Sequence, residues 1–183
     1  HMVAIREHGF TDIAPVDIMD EDGSISLPFA RGKHITENYV GAHFANYDSF
    51  VILSHFKGHA MAGFGGAIKN VAIGIASAEG KMWIHTGGET RALGRFILCY
   101  KVKKELFLES MAEAAGSVVE KLGTDRIVYV SLMNNLSIDC DCNKNPAPAE
   151  LDDIGVLASF DPVALDRACV DLIYAADSEK SAS

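Results

Sequence analysis

Between Phe50 and His85 an apolar run gives way abruptly to glycine, histidine and lysine. Phe50-Val51-Ile52-Leu53 reads as a short buried strand. The next 32 residues, Ser54 to His85, carry His55, His59 and His85, Lys57, Lys69 and Lys81, and six glycines. A strand that ends in titratable side chains and a glycine-rich bend is how open α/β sheets build sites at the carboxyl ends of their strands. The segment therefore restricts the chain to a fold in which one strand delivers polar groups to a sheet end.

The rest of the chain fits that restriction. Residues 3–14 read as the tail of a helix closed by Gly9, and Pro15–Met19 as a short apolar strand. Ile25, Leu27 and Phe29 alternate with polar or turn residues, as a half-exposed strand does. His34–His43 is expected as a loop or irregular strand, and Ala67–Ala76 has helical composition. Gly87–Lys104 has no clear period and reads as an insertion. Glu105–Leu122 is predicted as an amphipathic helix stopped by Gly123, and Ile127–Met133 as a buried strand. A turn-rich loop follows over 134–150, then a strand at Ile154–Ala158. Asp161-Pro162 places a cap and a proline at the start of a helix running to about Ala175. This order predicts an α/β fold with a mainly parallel sheet flanked by helices. One domain is expected over 3–176, with a disordered polar tail at 177–183. His1-Met2 reads as an expression scar.

With 183 residues the chain can bury a real core. A net charge of -9 argues against nucleic acid or an anionic membrane as partner. No apolar run approaches the ~20 residues of a membrane span, no secretory leader is expected, and four irregularly spaced cysteines do not make a disulfide framework. A reducing, cytoplasmic setting is expected.

Two groups of residues could carry chemistry. In the first, Gly65 and Gly66 let a ligand approach the backbone and leave N–H groups for an anion. Lys69 can meet a phosphate or act as an amine nucleophile, and His59 and His85 supply acid/base chemistry or imidazole ligands. The plainer alternative is a tight turn with solvated histidines. Neither the phosphate-binding loop nor the dinucleotide fingerprint is present. In the second group, Cys140 and Cys142 with Cys169 could hold zinc or an iron–sulfur cluster. Alternatively Cys169 is a core residue on an apolar stripe and the C-x-C is an exposed or redox pair. Asp161 reads as a helix cap and Asp166 as a solvated helix residue.

Six strings together resemble one family: A-N-Y-D at 45–48, L-S-H-F-K-G-H at 53–59, G-F-G-G-A-I-K-N at 63–70, I-D-C-D-C at 138–142, D-I-G-V-L-A-S at 153–159 and D-P-V-A-L-D at 161–166. They resemble the family called domain of unknown function 362, often labelled an uncharacterised Fe-S centre protein. That resemblance implies a core of a larger α/β protein, truncated at both ends, and a ferredoxin-type partner or a homo-oligomer. The H-x9-K-x15-H pattern around G-F-G-G-A-I-K is also similar, more distantly, to lactate racemase-like proteins that hold a nickel-pincer nucleotide. That similarity implies an acid/base role for His59, a cofactor tether at Lys69 and a metal ligand at His85. The proline-glycine that usually follows the lysine there is Asn70-Val71 here. The expectation is a metal- or cofactor-binding protein (iron, nickel or zinc), acting as an oxidoreductase or isomerase on a small-molecule substrate. The competing expectation is a non-catalytic iron–sulfur or zinc protein using the cysteine loop.

Overall fold

The computed structural model describes residues 1–141 and 143–182. Two short helices, α1 (Met2–Glu7) and α2 (Phe10–Ile13), precede an antiparallel hairpin of β1 (Ser24–Pro28) and β2 (Glu37–Gly41). Leu27 and Val40 are buried on one face of it and Tyr39 on the other. Pro15–Met19, expected as a strand, is irregular backbone. Asp17 in that stretch bonds instead through its side chain to His43 and Tyr47.

β3 (Phe50–His55) leads within one residue into a second small hairpin, β4 (Lys57–His59) and β5 (Gly63–Gly65). One helical turn, α3 (Ala67–Lys69), passes directly into a π turn over Asn70–Gly74. α4 (Ala78–His85) starts at Ser77, whose hydroxyl accepts the Gly80 N–H. A 3-10 segment, Leu93–Tyr100, occupies the stretch without clear period. α5 (Lys104–Leu122) and β6 (Ile127–Met133) match their predicted spans closely, and β7 (Gly155–Ser159) follows the long loop. The last element, α6 (Pro162–Ala182), is capped as its sequence predicts, Asp161 accepting the N–H groups of Val163 and Ala164. It extends beyond the expected end at Ala175.

The fold is α/β, with a mixed sheet flanked by helices. β6 is the central strand, parallel to β3 from Phe50 opposite Ile127 onward and antiparallel to β7 from Tyr129 opposite Ser159. Ile127, Tyr129, Ser131 and Met133 alternate toward the helices and are buried, together with Ile52 and Ser54 of β3. The expectation that Phe50–Leu53 is buried throughout is corrected: Val51 is 71% and Leu53 62% exposed. β3 is an edge strand of this sheet, and its odd residues point away from the helices. α5 supplies Phe107, Met111, Ala114 and Val118 to the core, and its Glu113 accepts the backbone N–H groups of Lys33, His34 and Ile35. Among the described residues no helix is long and apolar enough to cross a membrane.

A histidine fastens the acidic N-terminal segment to this framework. His43 Nδ1 lies 2.7 Å from Asp17 Oδ1 and Nε2 lies 2.8 Å from Asp22 Oδ2. Both nitrogens can donate only as imidazolium, and those hydrogen bonds raise its pKa above the ordinary 6.5. A group raised on folding stabilises fully below its unfolded value, and that contribution is lost as pH rises through the folded value. Thermal melts should therefore show stability from this cluster falling as pH climbs above 6.5. In His43→Ala that component of the pH dependence should vanish.

Candidate functional site

The polar end of β3 and the β4–β5 hairpin form a platform, and the loop over 134–150 is fixed on one side of it. His55 Nε2 is 2.7 Å from the Asn134 carbonyl oxygen and its Nδ1 is 3.0 Å from Asp141. The Lys57 ammonium pairs with the same Asp141 carboxylate. Between them, the Gly58 N–H donates to the Ser137 carbonyl at 2.8 Å. A Cβ on residue 58 would sit 2.1 Å from the Ile138 carbonyl oxygen, so only glycine permits this approach.

His59 ends β4, Lys69 ends α3 and His85 ends α4, near enough for the charge of Lys69 to act on both imidazoles. The stems of Lys69 and Lys57 flank Gly65, at 3.8 Å and 4.0 Å from where a Cβ would stand. Burial, reinforced by the Lys69 charge, pushes the His59 pKa down to about 4. Burial also lowers that of His85, which stacks on Phe107 with ring centroids 4.8 Å apart. Both rings are neutral at pH 7.

Their hydrogen bonds assign opposite tautomers. His59 Nδ1 accepts the N–H groups of Met61 and Ala62, at 3.2 Å and 3.1 Å, so its proton resides on Nε2. His85 Nδ1 lies 2.7 Å from the Lys81 carbonyl oxygen and must donate to it, leaving a lone pair on Nε2. One imidazole thus offers an N–H donor and the other a base or a metal ligand. Lys57 is neutralised by Asp141, whereas among the described residues no carboxylate pairs with the Lys69 ammonium.

The glycine bend is held from inside. Asp166, 3% exposed on α6, accepts the N–H groups of Ala67 at 2.7 Å and Ile68 at 3.0 Å. The two N–H groups just beyond the glycines are thus occupied by the protein's own carboxylate. A Cβ at Gly66 would meet Asp166 Oδ1 at 2.3 Å, so glycine here admits Asp166. The reading of Asp166 as solvated is corrected, and burial raises its pKa. A signal for it exists in the sequence: Asp166, Cys169, Val170 and Ile173 share one helical stripe by their spacing.

The cysteines are placed differently. Cys169 is fully buried on α6 in the core, and burial pushes its thiol up. Cys140 lies in the partly exposed loop beside Asp141, and Cys142 lies outside the described residues. Among the described residues no group of three His, Cys, Asp or Glu side chains could hold a metal ion. Among the described residues the donor set offers an imidazole lone pair at His85 and no cluster of three side-chain ligands. The sequence reading did not assign these roles to Lys57, Gly58, Asp141 and Asp166.

Two outcomes follow from this geometry. Asp166→Ala leaves two buried N–H groups unpaired and should destabilise the fold by at least ~1–3 kcal/mol, measured by denaturant unfolding. In an NMR titration His59 should protonate with a midpoint of about 4. That midpoint should rise in Lys69→Met, because a neighbouring positive charge is removed.

Searches of curated proteins and of solved structures returned no match. The family model described as Domain of unknown function (DUF362) matches residues 1–171, and the chain belongs to that family.

Proposed function

We propose that His59, Lys69 and His85 form a binding and reaction site for a small anionic molecule, cofactor or substrate, of an isomerase or oxidoreductase. The observation that carries this reading is the pairing of opposite neutral tautomers beside an ammonium that has no carboxylate partner among the described residues. A neutral imidazole that keeps its Nε2–H does not give that proton up at pH 7. It polarises an oxygen by hydrogen bonding, and His59 suits that role. His85, with a bare Nε2 and a carbonyl fixing its other nitrogen, suits proton abstraction or metal ligation. Lys69 supplies positive charge to a carboxylate, a phosphate or a developing oxyanion. Together these are the parts needed to remove a proton next to a carbonyl or hydroxyl carbon. A metal held at His85 would act as a Lewis acid, and its remaining ligands would come from a bound cofactor.

The test pairs calorimetry with elemental analysis. Inorganic phosphate or oxalate should bind saturably, and Lys69→Ala should weaken it about 10-fold or more, the worth of one charge-assisted hydrogen bond at ~1.5–3 kcal/mol. In protein purified without oxygen, a stoichiometric metal should be lost in His85→Ala and kept in Cys140→Ser. The opposite pattern, iron or zinc lost only in Cys140→Ser, would transfer the site to the cysteine loop. Anion affinity unchanged in Lys69→Ala would sink the reading.

A further inference from the structure

A cavity of about 680 Å³ lies against the face of the β4–β5 hairpin that carries Gly58 and Phe64. None of His59, Gly65, Lys69 or His85 lines it. Three parts of the chain enclose it: Phe56 and Phe64 at the hairpin, Leu136 and Leu151 from the long loop, and Val170 and Ile173 from α6. Phe56 and Leu136, 2% and 4% exposed, form its floor and belong to the hydrophobic core. Ile138 and Tyr174, 60% and 71% exposed, stand at its mouth. The protein's own bonds fix these walls. The Gly58 N–H donates to the Ser137 carbonyl, Asp141 pairs with Lys57, and Leu136 and Leu151 are joined by an isolated antiparallel bridge.

We infer that this cavity is a second binding site, separate from the His/Lys site, and that it takes an uncharged, apolar small molecule. Its volume falls in the roughly 300–1,000 Å³ range of small-molecule sites, whose walls are mainly apolar with few polar groups. A depression that reaches the core between three enclosing segments suits such a molecule better than the flat surface of a protein partner. The polar groups of the lining decide the ligand's chemistry. The Lys57 ammonium is paired with Asp141. The Ser137 hydroxyl donates to the Ala147 carbonyl at 2.8 Å and accepts the Asp139 N–H at 3.1 Å. The Gly58 N–H is taken by the Ser137 carbonyl. These groups are already engaged within the protein, and an ion moved out of water without new partners is strongly disfavoured. The other charged side chain of the lining, Glu150, has the sign that repels an anion. An apolar molecule meets the opposite balance: it leaves its hydration shell for the walls of Phe56, Leu136 and Ile173, and needs no hydrogen bond in return.

Calorimetry on the whole chain tests this with one apolar body in three charge states: 4-phenyl-1-butanol, 4-phenylbutyrate and 4-phenylbutylamine. The alcohol should bind about 10-fold or more tighter than either ion, because neither ion finds a partner on the lining. In methyl NMR spectra of the unaltered chain, the signals of Leu136, Leu151 and Ile173 should move together as the alcohol is added, with one dissociation constant. Ile173→Trp, which fills the cavity, should abolish alcohol binding and leave phosphate binding unchanged. Leu151→Trp, on the loop wall, provides the same reading if the first variant does not fold by circular dichroism. Lys69→Ala should leave the alcohol's affinity as it was, which separates failure of this site from failure of the anion site. Either ion binding as tightly as the alcohol would overturn the inference. So would shifts confined to methyl groups outside the cavity, or no binding of the alcohol.

Discussion

Asp166 places both carboxylate oxygens on backbone N–H groups 98 and 99 residues earlier in the chain, at Ile68 and Ala67. These two bonds join α6 to the point where the glycine bend becomes helix. The N–H groups at a helix start have no partner within the helix, and burying them unpaired is expensive. A three-residue helix cannot hold itself, so α3 depends on this external cap and on the π turn that continues it. Lys69 sits at the end of that turn. The position of the site's main cation is therefore set by a carboxylate on a distant helix, and the absence of a Cβ at Gly66 is what lets that carboxylate in.

The electrostatics of the site follow from the same arrangement. Two half-buried imidazoles beside a lysine are held neutral, because charging either would add positive charge next to existing positive charge in a poorly solvated place. Neutral histidines are useful in either direction, and local backbone decides which. A tight β4–β5 connection aims the N–H groups of Met61 and Ala62 at His59, whereas the helical carbonyl of Lys81 receives the proton of His85. Thus a hairpin end makes one ring a donor, and a helix end makes the other an acceptor.

Much of this was legible in the chain. α5, β6 and the start of α6 follow from period, length and capping residues, which are local signals. The glycine-rich stretch from Ser54 to His85 marked a polar region of the fold, in which His59 ends β4, Lys69 ends α3 and His85 ends α4. What the sequence hid was long-range. Asp166 looks like any acidic residue on a helix until its stripe is seen to include Cys169 and Ile173. The exposure of Val51 and Leu53 depends on β3 being an edge strand, which an apolar run does not reveal. Lys57 and Gly58 owe their roles to a loop eighty residues away, and Pro15–Met19 failed as a strand because side-chain bonds to His43 and Tyr47 determine its path.

The contact between Gly58 and the long loop also has a kinetic side. The Gly58 amide is sealed by the Ser137 carbonyl, and Asp141 is tied to His55 and Lys57 on either side of it. Lifting residues 134–141 breaks all of these together, so the loop wall of the cavity and the hairpin beneath it share a single opening equilibrium. Hydrogen exchange at the Gly58 amide reports the population of that open state. Any molecule that settles against either surface draws the equilibrium toward the closed form, and slows exchange at both.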